Sequence, residues 1–235
     1  MNYRCTIVIP AKNEAESIVK NLVTLHEVIK LEFECIVVVD DYEDPTRKVV
    51  DFFSQTHPNV RCEVNEKIPG PSGAIRYGFG LAQSPVLVVT MADGSDEHEK
   101  VESLVRLVER GAAVAVASRY MSGGQQVGAP FFKAILARLA SLFLYHFKRI
   151  GTHDVTNSFK AYSSDFVQSV NMKSDKGFEL GMELVIKARK RHLPVVEIPT
   201  IWLERHIGKS QFKVVKWMPH YLYWVIYALN PFVKG

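Results

Sequence analysis

Continuous apolar runs and helical apolar faces alternate along the first half of this chain. Cys5–Pro10, Cys35–Val39, Val60–Val64, Val86–Thr90 and Ala113–Ala117 are short, β-branched runs bounded by turn residues. Runs of this kind predict strands buried on both faces, as in a parallel sheet. Between them, Ile18, Leu22, Leu25 and Ile29 recur at helical spacing, and Val49, Val50, Phe52 and Phe53 give a second helix its apolar surface. Further helices are predicted from the Pro69–Gly73 turn through Ala82 and from about Glu99 to Arg110. Asp44-Pro45 reads as an N-cap followed by an N1 proline, and Asn13 with Glu16 has capping-box spacing. Strand and helix alternation of this regularity predicts an α/β fold with a largely parallel sheet.

The pattern then loosens. Tyr120–Pro130 reads as a glycine-containing loop, Phe131–Arg149 as a long helix, and Asp154–Tyr162 as a turn and short strand. A helix over Phe178–Arg191, a strand at Val195–Ile198 and a basic loop over Trp202–Phe212 follow. No linker divides the chain, so residues 1–235 are read as one domain. The tail over 213–235 is aromatic, with Trp217, Tyr221, Tyr223, Trp224 and Tyr227 behind Lys209, Lys213 and Lys216. A helix of that composition can lie in a membrane interface, pack on its own domain or pack on a second copy of the chain. Lys216, Pro219, His220, Asn230 and Pro231 interrupt it, so it offers no spanning segment of roughly 20 apolar residues.

Composition narrows this picture only a little. The net charge of +4 is too mild to argue for nucleic acid. Cys5, Cys35 and Cys62 lie in or beside strand-like runs without metal-ligand spacing, as small core residues of a reducing compartment do. With the first strand so near Met1, no leader is expected, and the location expected is cytoplasmic, or peripheral on the inner face of the plasma membrane.

Candidate chemistry collects where strands end. Asp40-Asp41 closes the second strand, and Met91-Ala92-Asp93-Gly94-Ser95-Asp96 follows the fourth. Ligands of parallel sheets bind beyond the carboxyl ends of the strands, and hard oxygen ligands there suit Mg²⁺ or Mn²⁺ held with a phosphate. The plainer alternative makes Asp96 the cap of the helix near Glu97 and Asp93 a turn residue. The turn ending at Gly73 opens a helix, where backbone N–H groups can meet phosphate, but it has neither GxGxxG nor P-loop spacing. Asp154 is a candidate general base, or a turn residue. Glu179 and Glu183 share a helix face and either can enter a site, though Glu183 reads equally as a solvated or core-paired residue. The eight histidines include no pair at metal-ligand spacing, and His98, His153 and His206 read as loop residues.

Ile7–Glu14, Val38–Asp41, Ala92–Asp96, Ala117–Tyr120, Thr156–Lys160, Glu197–Thr200 and Arg205–Ser210, in that order, resemble the signatures of inverting family 2 glycosyltransferases. Together they resemble the dolichol-phosphate mannose synthase branch, particularly its soluble bacterial relatives, over about residues 4–215. The resemblance implies a GT-A fold: one nucleotide-binding α/β domain with a mostly parallel sheet flanked by helices and a helical C-terminal extension. It implies transfer of a sugar, with inversion and Mg²⁺ or Mn²⁺, from a GDP- or UDP-sugar to an acceptor such as a polyprenyl phosphate. It places Pro10, Asn13, Glu14, Asp40, Asp41, Gly73, Ala92, Asp93 and Lys209 around the nucleotide sugar. Asp93, Ser95 and Asp96 fall at the metal, Arg119 and Lys133 at the acceptor phosphate, and Asp93, Asp154, Arg119 and Arg205 at the catalytic centre. Met91 departs from the family, occupying the position of the first aspartate of its Asp-x-Asp. A non-catalytic nucleotide-binding scaffold and a sugar nucleotidyltransferase are the competing readings. The first is supported by Met91; the second expects a glycine- and basic-rich loop where Ala11-Lys12-Asn13-Glu14 stands.

Overall fold

A computed structural model describes residues 3–128, 131–204 and 214–232, without the side chains of 131–134 and 214–216. In chain order its first half runs β1 (Cys5–Pro10), α1 (Ala15–Val28), β2 (Phe33–Val39), α2 (Pro45–Ser54), β3 (Val60–Val64), α3 (Pro71–Leu81), β4 (Val86–Val89), α4 (Val101–Glu109) and β5 (Val114–Ser118). Then come β6 (Gln125–Val127), α5 (Phe131–Lys148), β7 (Lys160–Ser163), α6 (Ser164–Ser169), α7 (Leu180–Lys190), β8 (Val195–Pro199), β9 (Ile201–Leu203) and α8 (Val214–Leu229). The main sheet has the order β3-β2-β1-β4-β7-β5-β8, and β7 alone runs antiparallel to its neighbours.

Alternate residues of each central strand feed two separate cores. Ile7, Ile9, Val37 and Val88 face Ile18, Leu22, Leu104 and Val105, while Val8, Val38 and Val89 face the cluster that holds Phe79, Leu184 and Trp224. Each such fully buried aliphatic side chain stabilises the fold by about 1.5–3 kcal/mol. This two-sided burial is why the strands read as unbroken apolar runs. The cysteines behave as small core residues: Cys5 and Cys35 are buried, and burial raises the thiol of Cys62 to about 12.

Asp44 caps α2 as its sequence predicts, accepting from Thr46 N at 2.9 Å ahead of Pro45. The capping box at Asn13 does not form. Asn13 takes a left-handed φ of 55°, its N–H goes to the Asp44 carboxylate at 3.0 Å, and Glu14 N goes to Thr46 Oγ1 at 2.8 Å. The start of the neighbouring helix, not the side chain of Asn13, satisfies this loop. Three elements lie outside the sequence pattern: α6, and the strands β6 and β9, which pair in parallel as a ribbon.

Candidate active site

The carboxyl ends of β1, β2 and β4 border a cleft of about 1120 Å³. Part of its wall is polar backbone and charge: Pro10, Lys12, Glu14, Asp40, Pro69 and Gly70. The strand end after β4 adds Met91, Ala92, Asp93 and Ser95; Arg119, Thr156, Asn157 and Ser158 continue it. Another part is apolar, from Leu136, Ala137 and Ala140 on α5 and Met218, Leu222 and Val225 on α8. The ribbon contributes Gln126 and Trp202.

Buried and half-buried side chains hold these loops in place. Asp40 Oδ2 accepts from Gly70 N at 2.9 Å, tying the turn before α3 to the end of β2, and Asp40 Oδ1 is buried without a hydrogen-bond partner. Burial raises the Asp40 carboxyl, against the opposing pull of Gly70 N–H and Lys12. Gly73 does not line the cleft. It is required by packing, since a Cβ there would meet Ile68 O at 1.7 Å. Asp41 is exposed and closes a turn onto Glu43 N at 3.0 Å.

Asp93 lines the cleft and its Oδ1 accepts from Ser95 N at 3.1 Å. Ser95 Oγ is buried without a hydrogen-bond partner. Asp96 is neither a helix cap nor a lining residue. Its Oδ2 accepts from Thr90 Oγ1 at 2.9 Å and from Met91 N at 3.0 Å, and burial raises its carboxyl to about 6. His98 is not a loop residue either: it is buried, its Nε2 meets Asn21 Oδ1, and burial lowers its ring to about 4. Asn21 Nδ2 in turn donates to Met91 O at 2.8 Å. Among the described residues, no group of three or more His, Cys, Asp or Glu side chains is arranged to hold a metal ion.

The expectation that Asp154 acts as a base does not survive its surroundings. Asp154 has no exposed surface and grips Arg119 in a two-point pair, Nε to Oδ2 at 2.7 Å and Nη2 to Oδ1 at 3.0 Å. Arg119 N, Thr156 Oγ1 and Asn157 N also donate to it. Burial alone would raise Asp154, but the charge of Arg119 and its hydrogen bonds outweigh this and hold it down. Such a carboxylate orients a cation and has no lone pair left for a substrate proton. Sequence reading missed Lys160, fully buried beneath this pair. Its Nζ donates to Val155 O at 3.2 Å and to Asn157 O, and burial lowers it to about 7.

Glu179 and Glu183 prove to be braces. Glu183 accepts from Lys173 N and Ser174 N, each at 2.7 Å, and from Lys187 Nζ, while Glu179 accepts from Gly177 N at 2.8 Å. Together they shape the 173–177 loop, which brings Lys176 and Gly177 to the cleft. Arg205, His206 and Lys209 lie outside the described residues. Lys133 stands in the first turn of α5, with its side chain outside them as well.

The sequence model described as glycosyl transferase family 2 matches residues 6–170. The polyprenol monophosphomannose synthase of Mycolicibacterium smegmatis is 28% identical over 230 residues, 91% of this chain and 86% of that protein. The undecaprenyl-phosphate mannosyltransferase of Micrococcus luteus is 28% identical over 213 residues, 88% of this chain and 87% of that one. The dolichol-phosphate mannosyltransferase of Pyrococcus furiosus is also 28% identical, but this chain spans only 59% of its length. Among solved structures, glucosyl-3-phosphoglycerate synthase from Mycobacterium tuberculosis, in complex with Mn²⁺, UDP-glucose and phosphoglyceric acid, superposes with a TM-score of 0.72. The match covers 96% of this chain and 79% of that one at 14% identity, a likeness of fold.

Proposed function

The chain belongs to glycosyl transferase family 2, and from that premise we propose that it moves a hexosyl group, with inversion, from a nucleoside-diphosphate sugar to a polyprenyl phosphate. The observation that carries this reading is the composition of the cleft. A wall with Asp40, Asp93, Lys12 and Arg119 suits a sugar diphosphate, and the wall from α5 and α8 suits an isoprenoid chain. The surfaces of these two helices carry exposed apolar side chains, among them Leu139, Phe147, Leu222 and Ile226. No described helix is long and apolar enough to cross a membrane. A lipid acceptor would therefore be met at the bilayer surface.

The mechanism needs little proton chemistry. A phosphomonoester oxygen is largely ionised at neutral pH, with a second pKa of about 6, so the acceptor attacks the anomeric carbon without a general base. That agrees with an Asp154 wholly engaged by Arg119. Arg119, presented to the cleft by that pair, orients and neutralises phosphate, the electrostatic contribution that dominates reactions of this type. The Asp93 carboxylate and the buried, unpartnered Ser95 hydroxyl are hard oxygen donors that suit Mg²⁺ or Mn²⁺. An ion held there would neutralise charge on the leaving diphosphate.

The test is to incubate the purified chain with labelled GDP- or UDP-hexoses and polyprenyl phosphate in detergent. The expected result is label in the organic phase as a polyprenyl phosphosugar. Label confined to water-soluble products overturns the acceptor assignment. Nucleotide binding without any sugar release points instead to a scaffold.

A further inference from the structure

Thr156, Asn157 and Ser158 form a strip of the cleft wall together with Arg119. Where the backbone of this strip is anchored decides where its side chains stand. Two of its carbonyls, Val155 O and Asn157 O, meet at a single atom, Lys160 Nζ, which donates to both. The peptides before Thr156 and after Asn157 are thereby fixed. Thr156 carries this hold to the cation of the site: its Oγ1 accepts from Arg119 Nη2 at 2.9 Å and donates to Asp154 Oδ1 at 3.1 Å. Asn157 Nδ2 adds a tie to the end of β5, donating to Ala117 O at 2.8 Å. Lys160 is itself set in β7 between β4 and β5, opposite Val89 on one side and Val116 on the other. It has no exposed surface and does not line the cleft, so it meets no substrate. Its amine fits because α7 carries Gly181, where a Cβ would lie 3.3 Å from Lys160 Nζ, 3.5 Å from Tyr162 OH and 3.7 Å from Asn157 O. Burying an ammonium is costly, and what this one holds is cleft backbone.

We infer that Lys160 is a positioning residue for sugar transfer: it holds residues 155–158 where Thr156 can set the Arg119 guanidinium toward the phosphate. The hold does not depend on the charge, since an amine that has lost its proton keeps two N–H groups for the two carbonyls. A wall displaced by about 1 Å can cost on the order of a hundredfold in rate, so a lysine without substrate contact can still set turnover. The inference rests on the transfer reading above and deepens it.

Two variants of the full chain test it from opposite sides. Lys160→Met removes the N–H donors from a side chain of similar length. Gly181→Ala keeps them but sets a methyl group against the amine, which must then give by a few tenths of an ångström. Turnover is measured as kcat at saturating donor sugar and polyprenyl phosphate, beside the Kd for UDP or GDP and the melting temperature. Expected is a kcat lower by on the order of tenfold or more in Lys160→Met and by about threefold in Gly181→Ala, with nucleotide affinity within about twofold of the wild type. A lysine that only stabilised the fold would lower the melting temperature and leave the kcat of the folded protein unchanged. Folded Lys160→Met with wild-type kcat therefore overturns the inference and leaves the transfer reading standing. So does a nucleotide affinity that falls by the same factor as kcat, since the whole cleft is then disordered. If Lys160→Met fails to fold, Gly181→Ala decides: a lower kcat upholds the inference and an unchanged one overturns it. Wild-type protein that transfers sugar to no polyprenyl phosphate overturns the transfer reading, and this inference with it.

Discussion

At the strand ends, buried and half-buried side chains clamp loop backbone directly: Asp44 holds Asn13 N, Asp40 holds Gly70 N, and Asp96 and Asn21 hold the N–H and C=O of Met91. On α5 and α8 the arrangement is the reverse. Leu136, Leu139, Phe143 and Phe147 on one helix and Met218, Leu222, Tyr223 and Ile226 on the other are 39% to 72% exposed. The first wall is organised before any ligand arrives, which is what charge stabilisation requires. The second exposes apolar surface that costs free energy in water and is recovered only against something apolar. The contrast divides the labour of the cleft between fixed charge on one side and adaptable apolar contact on the other.

The comparison is broken most severely at Arg119. Arg119→Lys keeps the charge but loses the planar two-point fit, and transfer is expected to fall on the order of a hundredfold or more in a kcat/KM measurement. Asp154→Asn leaves a buried guanidinium without its counter-charge; denaturant melts are expected to show a loss of about 3–5 kcal/mol.

Lys160 sharpens the comparison through pH. Its folded value of about 7 lies below its ordinary value of 10.5. Below the folded value both states hold the proton and the fold bears the whole cost of burying the charge. Between the two values only the unfolded chain holds it, so stability rises with pH across that window. Melting temperatures measured across the window should show this rise in the wild type and a flatter profile in Lys160→Met. At the other wall, Leu139→Ser with Phe147→Ser should change stability by only about 0.5 kcal/mol or less. The same pair should lower co-sedimentation with anionic vesicles several-fold; unchanged vesicle binding would remove α5 from the membrane reading.

This division also explains what the sequence could show. The polar wall hangs from doubly buried strands, whose apolar runs end on Asp40 and Asp93, so both strands and carboxylates were visible as text. Gln125-Gln126-Val127 has no apolar period and becomes a strand only by pairing with Ile201–Leu203, far along the chain. Asp154 was misread for a similar reason, since its partner Arg119 lies 35 residues away. Nor does anything in Phe159-Lys160 signal a buried ammonium. Its space comes from α7, where a Cβ at Gly181 would lie 3.3 Å from Lys160 Nζ.

The reversed direction of β7 has a consequence for how this protein can change. Because β7 pairs antiparallel with β5, with Val116 opposite Lys160, the chain leaves the sheet after Ser118 and re-enters it at Lys160 along the same edge. Residues 119–159, carrying β6 and α5, therefore form an excursion whose two feet stand together, stapled by the Arg119–Asp154 pair at its neck. Such a segment works as a cassette. Between its feet it can be lengthened or shortened without shifting the register of any strand of the main sheet, so long as Arg119, Asp154 and the cleft-lining residues Thr156, Asn157 and Ser158 at the neck are kept.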